Sequence, residues 1–136
     1  MADAAGAVPL VEGIFKIESG ATPVLLVSRC TSCDQRFFPP RERCSACSSA
    51  DMSVEDASQH GELYTWTTIR ELGGYREGFT PYVVGQIELA DGLRVTGIVK
   101  CDPDELTIGM PVRLCLSSHG QDDGGKELVG YAFEPA

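Results

Sequence analysis

Four of the six cysteines form two Cys-x-x-Cys pairs, Cys30/Cys33 and Cys44/Cys47, with ten residues between the pairs. Two residues between cysteines allow both thiolates to point to one side of a tight turn. Two such turns facing each other place four sulfurs at tetrahedral positions, which suits zinc. The sequence therefore predicts one closed structural zinc site with these four cysteines as ligands.

Two other uses of the cluster compete with zinc. A pair of disulfides would require a secreted protein, but the start of the chain is acidic and does not resemble a targeting segment, and a sizeable domain follows the cysteines. The same four thiolates also hold iron in rubredoxin-like electron carriers. A colourless protein with bound zinc would exclude the iron alternative.

The overall charge restricts the partners that we expect. Eleven basic residues against twenty acidic residues give a formal charge of −9, which repels a phosphate backbone and disfavours general nucleic-acid binding. No apolar run approaches the roughly 20 residues that span a bilayer. We therefore expect a cytoplasmic protein of 136 residues with no membrane association and no nucleic-acid partner.

The patterns along the chain predict a mainly β protein. Residues 10–17 are interpreted as a short helix or turn, and residues 24–29, 36–38 and 52–55 as the strands of a zinc ribbon. So small a ribbon has almost no core, and the metal is expected to supply its folding energy. We divide the chain into an N-terminal tail with a short helix (residues 1–23), a zinc ribbon (24–57) and a second domain (58–136).

The second domain is predicted to be a five-stranded OB-fold barrel. Its strands are expected at residues 62–70, 82–89, 93–99, 112–116 and 127–134. Asp91-Gly92 indicates a hairpin turn, and Pro103 begins a single helical turn. OB-folds bind ligands through strands two and three and through the loops after strands one and four, here residues 71–80 and 117–126.

These motifs together resemble a family of acyl-CoA-associated proteins that join a rubredoxin-type zinc ribbon to an OB-fold. The resemblance rests on the four cysteines with the stretch 38–41 before the second pair. It continues through the barrel segments 61–67, 81–89, 91–95 and 108–112. One departure is the residue after each second cysteine, usually glycine in a left-handed conformation, which here is Asp34 or Ser48.

The resemblance implies a function without catalysis on this chain. Family members form complexes with thiolase-type enzymes that act on CoA thioesters or ketones. The partner carries the nucleophilic cysteine, while the family member bridges subunits and helps to hold the CoA moiety. The alternative from another class is a single-stranded nucleic-acid-binding OB-fold protein, with Trp66, Tyr75, Phe79 and Tyr82 as a stacking platform.

The remaining reactive residues do not indicate an active site. Cys101 and Cys115 have apolar neighbours and no adjacent histidine, so they are interpreted as small buried side chains. His60 and His119 are expected to be solvated, and Trp66 is expected to pack in the core.

Binding of the anionic CoA would need a local positive patch on this acidic chain. Arginine suits phosphate because its planar fork donates two parallel hydrogen bonds. Arg29, Arg36, Arg41 and Arg43 could instead offset the negative metal cluster. The residues expected to contact CoA or the partner are Arg41, Arg43, Arg70, Tyr75, Arg76, Phe79 and Arg94.

Overall fold

The computed structural model describes residues 8–9, 13–18, 22–70, 81–121 and 123–136. Its strands are β1 (Val8–Pro9), β2 (Phe15–Glu18), β3 (Thr22–Cys30), β4 (Arg36–Phe37), β5 (Met52–Asp56), β6 (His60–Ile69), β7 (Tyr82–Leu89), β8 (Arg94–Val99), β9 (Pro111–Gln121) and β10 (Glu127–Pro135). The predicted mainly β class is confirmed. In this part of the chain no helix has the length and apolarity to cross a membrane.

Strands β6 to β10 close into a barrel. Antiparallel pairing joins β6 to β7 and β7 to β8, and β8 then pairs in parallel with β10. Strand β10 pairs antiparallel with β9, which returns to β6 and closes the circle. This five-stranded order with one parallel pair is that of the predicted OB-fold. The short strand β1 adds in parallel to the beginning of β10.

Every second side chain along the strands points inward and fills the barrel. In β7 the residues Val83, Gly85, Ile87 and Leu89 are buried, while Gln86 and Glu88 between them are exposed. A Cβ atom at Gly85 would lie 2.9 Å from side-chain atoms of both Leu63 and Val99. Glycine is therefore required where three strands approach across the barrel interior.

The two predicted turns are confirmed. Each turn is specified by a few adjacent residues, so the sequence alone could predict it. At the hairpin between β7 and β8, Gly92 has a φ of 90° and its N–H donates to the carbonyl of Leu89 at 2.8 Å. Residues Pro103–Glu105 form a single turn of 3₁₀ helix, and the carboxylate of Asp102 accepts from the N–H of Asp104 at its beginning.

Two features differ from the sequence prediction. The sequence predicts a short helix or turn over residues 10–17, but residues 15–17 lie in strand β2, which pairs with β3, and residues 10–12 are outside the described part. Pairing with β3 buries Phe15 and leaves Lys16 exposed, so side-chain burial alternates along the strand. This strand pairing overrides the conformational preference of the local sequence. Strand β9 also continues to Gln121, so it includes half of the predicted loop 117–126.

The ribbon strands and the barrel share one core. Strand β3 pairs with β2, β4 and β5, yet its side chains Leu25 and Val27 belong to the same buried cluster as Leu63 and Phe133 of the barrel. All four side chains are at most 1% exposed. The ribbon therefore obtains part of its stability from barrel packing, in addition to what a metal supplies.

An ion pair also connects the ribbon to the barrel. The Nη2 of Arg36 in β4 donates to the carboxylate of Asp91 at the barrel hairpin at 3.1 Å, and the N–H of Ser58 donates to the same oxygen at 3.1 Å. Burial raises the pKa of Asp91, but the hydrogen bonds from Ser58 and Arg36 outweigh it and hold the pKa below its ordinary value. The charged carboxylate therefore stabilises the fold.

We predict that Asp91→Asn lowers the free energy of unfolding by about 1–2 kcal/mol at pH 7, because the charged acceptor of hydrogen bonds from Arg36, Ser58 and Leu93 is lost. The folded pKa lies below the unfolded value of about 3.9, so this stabilisation is present at neutral pH and disappears as the pH falls through the folded pKa. Urea unfolding of variant and wild type at each pH measures the difference.

The matched control is Glu88→Gln, because the pair between Glu88 and Arg94 has side chains that are 47% and 51% exposed. An exposed pair contributes less than about 1 kcal/mol. Equal losses in both variants, or a difference for Asp91→Asn that persists unchanged down to pH 3, would contradict the role assigned to Asp91.

Candidate functional site: the four-cysteine centre and the barrel surface

The two cysteine pairs form matching turns. In the first, the N–H of Asp34 donates to the carbonyl of Cys30 at 2.8 Å, and the N–H of Cys30 donates to the carbonyl of Gln35 at 2.9 Å. In the second, Ser48 and Cys44 make the corresponding bond at 2.9 Å, and a bond of 2.9 Å also joins Cys44 to Ser49. The sequence spacing thus produces the same turn twice, as expected for metal-binding knuckles.

The four sulfurs converge. The Sγ atoms of Cys30 and Cys47 are 3.6 Å apart, as are those of Cys33 and Cys44, and all four lie within 4.8 Å of one another. A tetrahedron with metal–sulfur bonds of about 2.3 Å has edges of about 3.8 Å. The donor set therefore fits one tetrahedral metal ion.

Backbone hydrogen bonds lower the pKa of two of the four cysteine thiols. Burial raises the pKa of Cys30, but hydrogen bonds from the amides of Cys33 and Ser32 outweigh it and lower the pKa to about 6. Burial likewise opposes ionisation of Cys44, whose Sγ accepts from the amides of Ala46 at 3.3 Å and Cys47 at 3.4 Å, and its pKa is also lowered. Thiolates are the form that binds metal.

Residues 18–53 match the family model described as the ChsH2 rubredoxin-like zinc ribbon domain, and residues 54–117 match that of the ChsH2 C-terminal OB-fold domain. A DUF35 domain-containing scaffold protein of Methanocaldococcus jannaschii is 35% identical over 114 residues, which cover 82% of this chain and 81% of the relative. The chain belongs to the ChsH2-type DUF35 family. The resemblance inferred from the sequence is thereby confirmed.

Two further proteins that are similar to this chain have informative names. The benzoylsuccinyl-CoA thiolase subunit BbsA of Thauera aromatica is 28% identical over 114 residues, covering 84% of this chain and 78% of the relative. A solved structure entitled Ltp2-ChsH2(DUF35) aldolase matches with a TM-score of 0.62 and 30% identity, covering 82% of this chain and 84% of the matched chain. Both names describe proteins that are part of an enzyme complex.

The knuckles of this family member contain residues other than glycine in left-handed conformation. Asp34 has a φ of 64° and Ser48 a φ of 65°. Asp34 gains an ion pair there, because its carboxylate accepts from Arg29 at 2.9 Å. The carbonyl of Ser48 accepts from Arg43 at 2.8 Å. The left-handed backbone that glycine usually provides in such knuckles is therefore present here without glycine.

The arginines predicted to contact CoA or the partner differ in their surroundings. Arg94 is engaged by Glu88 at 3.0 Å and lies 3.8 Å from the ring centroid of Tyr64. The guanidinium of Arg41 lies 5.2 Å from the ring centroid of Phe37. Within the described ranges, no ion pair involves Arg41, Arg43 or Arg70. Tyr75, Arg76 and Phe79 lie outside the described residues, so their predicted role stays a prediction.

The two remaining cysteines lack the environment of a nucleophile. Burial, followed by the hydrogen bond to Glu134, raises the pKa of Cys115 to about 12. Burial and the nearby charges of Glu105 and Asp102 raise the pKa of Cys101. A nucleophilic cysteine requires a lowered pKa or an adjacent base, so neither thiol is activated.

Among the described barrel residues, Trp66 and Tyr64 offer little for stacking bases. Trp66 packs against the hydrophobic core, as predicted from the sequence. Tyr64, at an irregularity in the pairing of β6 with β7, is 46% exposed, but Arg94 covers its ring. Glu62 and Glu88 face each other across the same strands. Acidic side chains around one covered aromatic ring do not favour a nucleic-acid strand.

We predict that Cys44→Ser removes the metal, because one of four thiolate ligands is lost. Metal analysis of purified protein should give one equivalent of metal for wild type and a small fraction of that for the variant. Hydrogen exchange should show loss of protection at Asp34 and Ser48, whereas Leu63 and Ile87 in the barrel remain protected.

Cys101→Ser is the matched control for this experiment, since it alters a cysteine outside the cluster and should retain the metal. Full metal occupancy in Cys44→Ser would contradict the ligand set. Metal analysis of the wild type also separates zinc from iron.

We predict that Ser48→Gly stabilises the metal-loaded protein by about 1 kcal/mol, because glycine adopts a φ of 65° without the steric cost that serine has. Chemical denaturation measures the change. Ala50→Gly is the control: Ala50 is exposed and is not among the residues of positive φ, so glycine there should lower stability through chain entropy. A loss of stability in Ser48→Gly would contradict this account.

Proposed function

We propose that this chain is a non-catalytic accessory subunit of a thiolase-type complex that processes acyl-CoA in the cytoplasm. The observation that carries the proposal is the match of ribbon and barrel together to the Ltp2-ChsH2(DUF35) aldolase over 82% of this chain. The thiolase subunit name of the Thauera aromatica relative supports it independently. The raised pKa values of Cys101 and Cys115 agree with a chain that leaves the chemistry to its partner.

We further propose that the metal held by the four cysteines is zinc and that it has a structural role. The family model is described as a zinc ribbon, and the sulfur separations of 3.6 Å fit a closed tetrahedral site. Four protein ligands leave no position for substrate or water, which distinguishes a structural zinc site from a catalytic one. Zinc would fix the knuckle loops that present Arg41 and Arg43.

In the proposed complex this subunit bridges enzyme subunits and helps to bind the CoA moiety of the substrate. Arg41 and Arg43 on the ribbon and Arg70 at the end of β6 are exposed, so they are accessible to a partner or to phosphate groups. Loop 71–80, with Tyr75, Arg76 and Phe79, is proposed to contribute to the same function. Arg94 is a weaker candidate because Glu88 and Tyr64 already engage it.

The proposal is tested by co-expression with the thiolase-type enzyme whose gene lies nearest to the gene of this chain. The two proteins should elute as one complex on size-exclusion chromatography, and turnover of a CoA thioester should require the enzyme's cysteine. This chain by itself should have no turnover. The double variant Cys101→Ala/Cys115→Ala should assemble and support wild-type turnover, apart from a stability loss of about 1–3 kcal/mol for each truncated site.

Two results would contradict the proposal. Failure of the two full-length proteins to associate at micromolar concentration would remove the bridging role. An assembled and folded double cysteine variant without activity would show that this chain contributes a catalytic thiol.

A further inference from the structure

The four sulfurs of the cysteine cluster form two close pairs, and each pair joins one turn to the other. The Sγ atoms of Cys30 and Cys47 are 3.6 Å apart, and so are those of Cys33 and Cys44. Cys30 and Cys33 belong to the first turn, and Cys44 and Cys47 to the second. A disulfide bond is about 2.05 Å long, so each pair has to shorten by about 1.5 Å to become one.

Each close pair combines one exposed and one buried cysteine. Cys33 and Cys47 are exposed, whereas Cys30 and Cys44 are 0% and 1% exposed. A small oxidant in the solvent therefore reaches one sulfur of each pair, and the other sulfur lies directly beside it. Cysteines that hold a metal are thiolates. Exposed thiolates with a second cysteine within reach are the ones that oxidise reversibly.

The two turns differ in the charge beside the exposed cysteine. At the first turn, Arg29 is neutralised, because it donates to Glu55 and to the carboxylate of Asp34. At the second turn, Nη1 of Arg43 donates to the carbonyl of Ser48, the residue after Cys47, at 2.8 Å. Among the residues with described side chains, Arg43 forms no ion pair. A positive neighbour is typical of reactive cysteines, so Cys47 is the more reactive of the two exposed cysteines.

Contacts other than the sulfurs hold the two turns together. Both the N–H and the hydroxyl of Thr31 donate to the carbonyl of Asp51 at 2.9 Å. The hydroxyl of Ser32 donates to that of Ser49 at 3.2 Å. These bonds connect the first turn to the chain that follows the second turn. The turns therefore stay next to each other when the metal leaves, and the change is reversible.

We propose that Cys47 is a site of reversible oxidation by hydrogen peroxide, with Cys30 as its resolving cysteine, and that the disulfide between them releases the metal. This inference rests on the metal site proposed above. In the first step the Cys47 thiolate attacks one oxygen of the peroxide. The O–O bond breaks, an S–O bond forms, and hydroxide leaves.

In the second step the Cys30 thiolate attacks the sulfur of the Cys47 sulfenic acid. An S–S bond forms, the S–O bond breaks, and a second hydroxide leaves. The two sulfurs together give two electrons to one peroxide molecule. Two of the four thiolate ligands are then used up, so the site no longer holds a metal ion. The segment between the two turns includes Arg41 and Arg43, so metal loss also affects the surface proposed to contact the partner.

The test uses the metal-loaded full chain in the Cys101→Ala/Cys115→Ala background, which keeps only the four cluster cysteines. Substoichiometric hydrogen peroxide is added, a chromogenic chelator measures the released metal, and mass spectrometry of alkylated peptides maps the disulfides. One metal ion should be released for each peroxide molecule consumed, together with a Cys30–Cys47 disulfide. Dithiothreitol with added zinc should restore the metal content, and the amide of Thr31 should remain protected from hydrogen exchange in the oxidised chain.

Arg43→Gln tests the choice of Cys47 without removing a metal ligand. It removes the positive charge beside the second turn and should slow metal release several-fold while leaving the initial metal content unchanged. Arg41→Gln is the matched control, because Arg41 is also an exposed arginine of the same segment, but its guanidinium lies over the ring of Phe37. Its rate of metal release should equal that of wild type.

Four results would overturn the proposal. These are retention of the metal in a large excess of peroxide, disulfides within a turn (Cys30–Cys33 or Cys44–Cys47), sulfinic acid at Cys47 without a disulfide, and wild-type release in Arg43→Gln. A chain that carries no metal before oxidation contradicts the metal site and with it the release. Association with the thiolase-type enzyme is measured separately, so a failure of oxidation leaves the proposed function intact.

Discussion

Strand β3 is the element on which the metal centre and the barrel both depend. Its side chains Leu25 and Val27 are fully buried in the barrel core, and each contributes about 1.5–3 kcal/mol by its burial. Its last residue, Cys30, is one of the four cysteines whose sulfurs converge to fit a metal ion. The position of the first knuckle relative to the barrel is therefore set by core packing along one continuous strand. The ion pair between Arg36 and Asp91 adds a second connection nearby.

Features specified by adjacent residues could be predicted from the sequence. The two knuckles follow from the cysteine spacing, the barrel hairpin from Asp91-Gly92, and the barrel strands from segments rich in β-branched and aromatic residues between turns. Strand β2 could not be predicted, because its conformation depends on pairing with β3 rather than on its own residues. The shared core was missed for the same reason, since it joins side chains far apart in the sequence.

The arginines that were candidates for ligand binding also depend on contacts between residues far apart in the sequence. From the sequence alone, the arginines cannot be ranked as ligand contacts, because each is expected to be exposed and close to a predicted loop. In the structure Arg29 pairs with Glu55, 26 residues away, and Arg36 pairs with Asp91, 55 residues away. These distant contacts neutralise two of the four ribbon arginines. Which cations remain available to a ligand is decided by tertiary structure.

The distribution of charge reconciles an acidic chain with an anionic ligand. At physiological ionic strength, charges separated by more than about 8 Å are largely screened from each other. A compact phosphate bound beside the exposed arginines Arg41, Arg43 or Arg70 would therefore respond mainly to the groups around it. A nucleic-acid strand extends over many residues and meets acidic side chains such as Glu62 and Glu88 along the barrel. The net charge that disfavours an extended polyanion is thus compatible with a single compact anion.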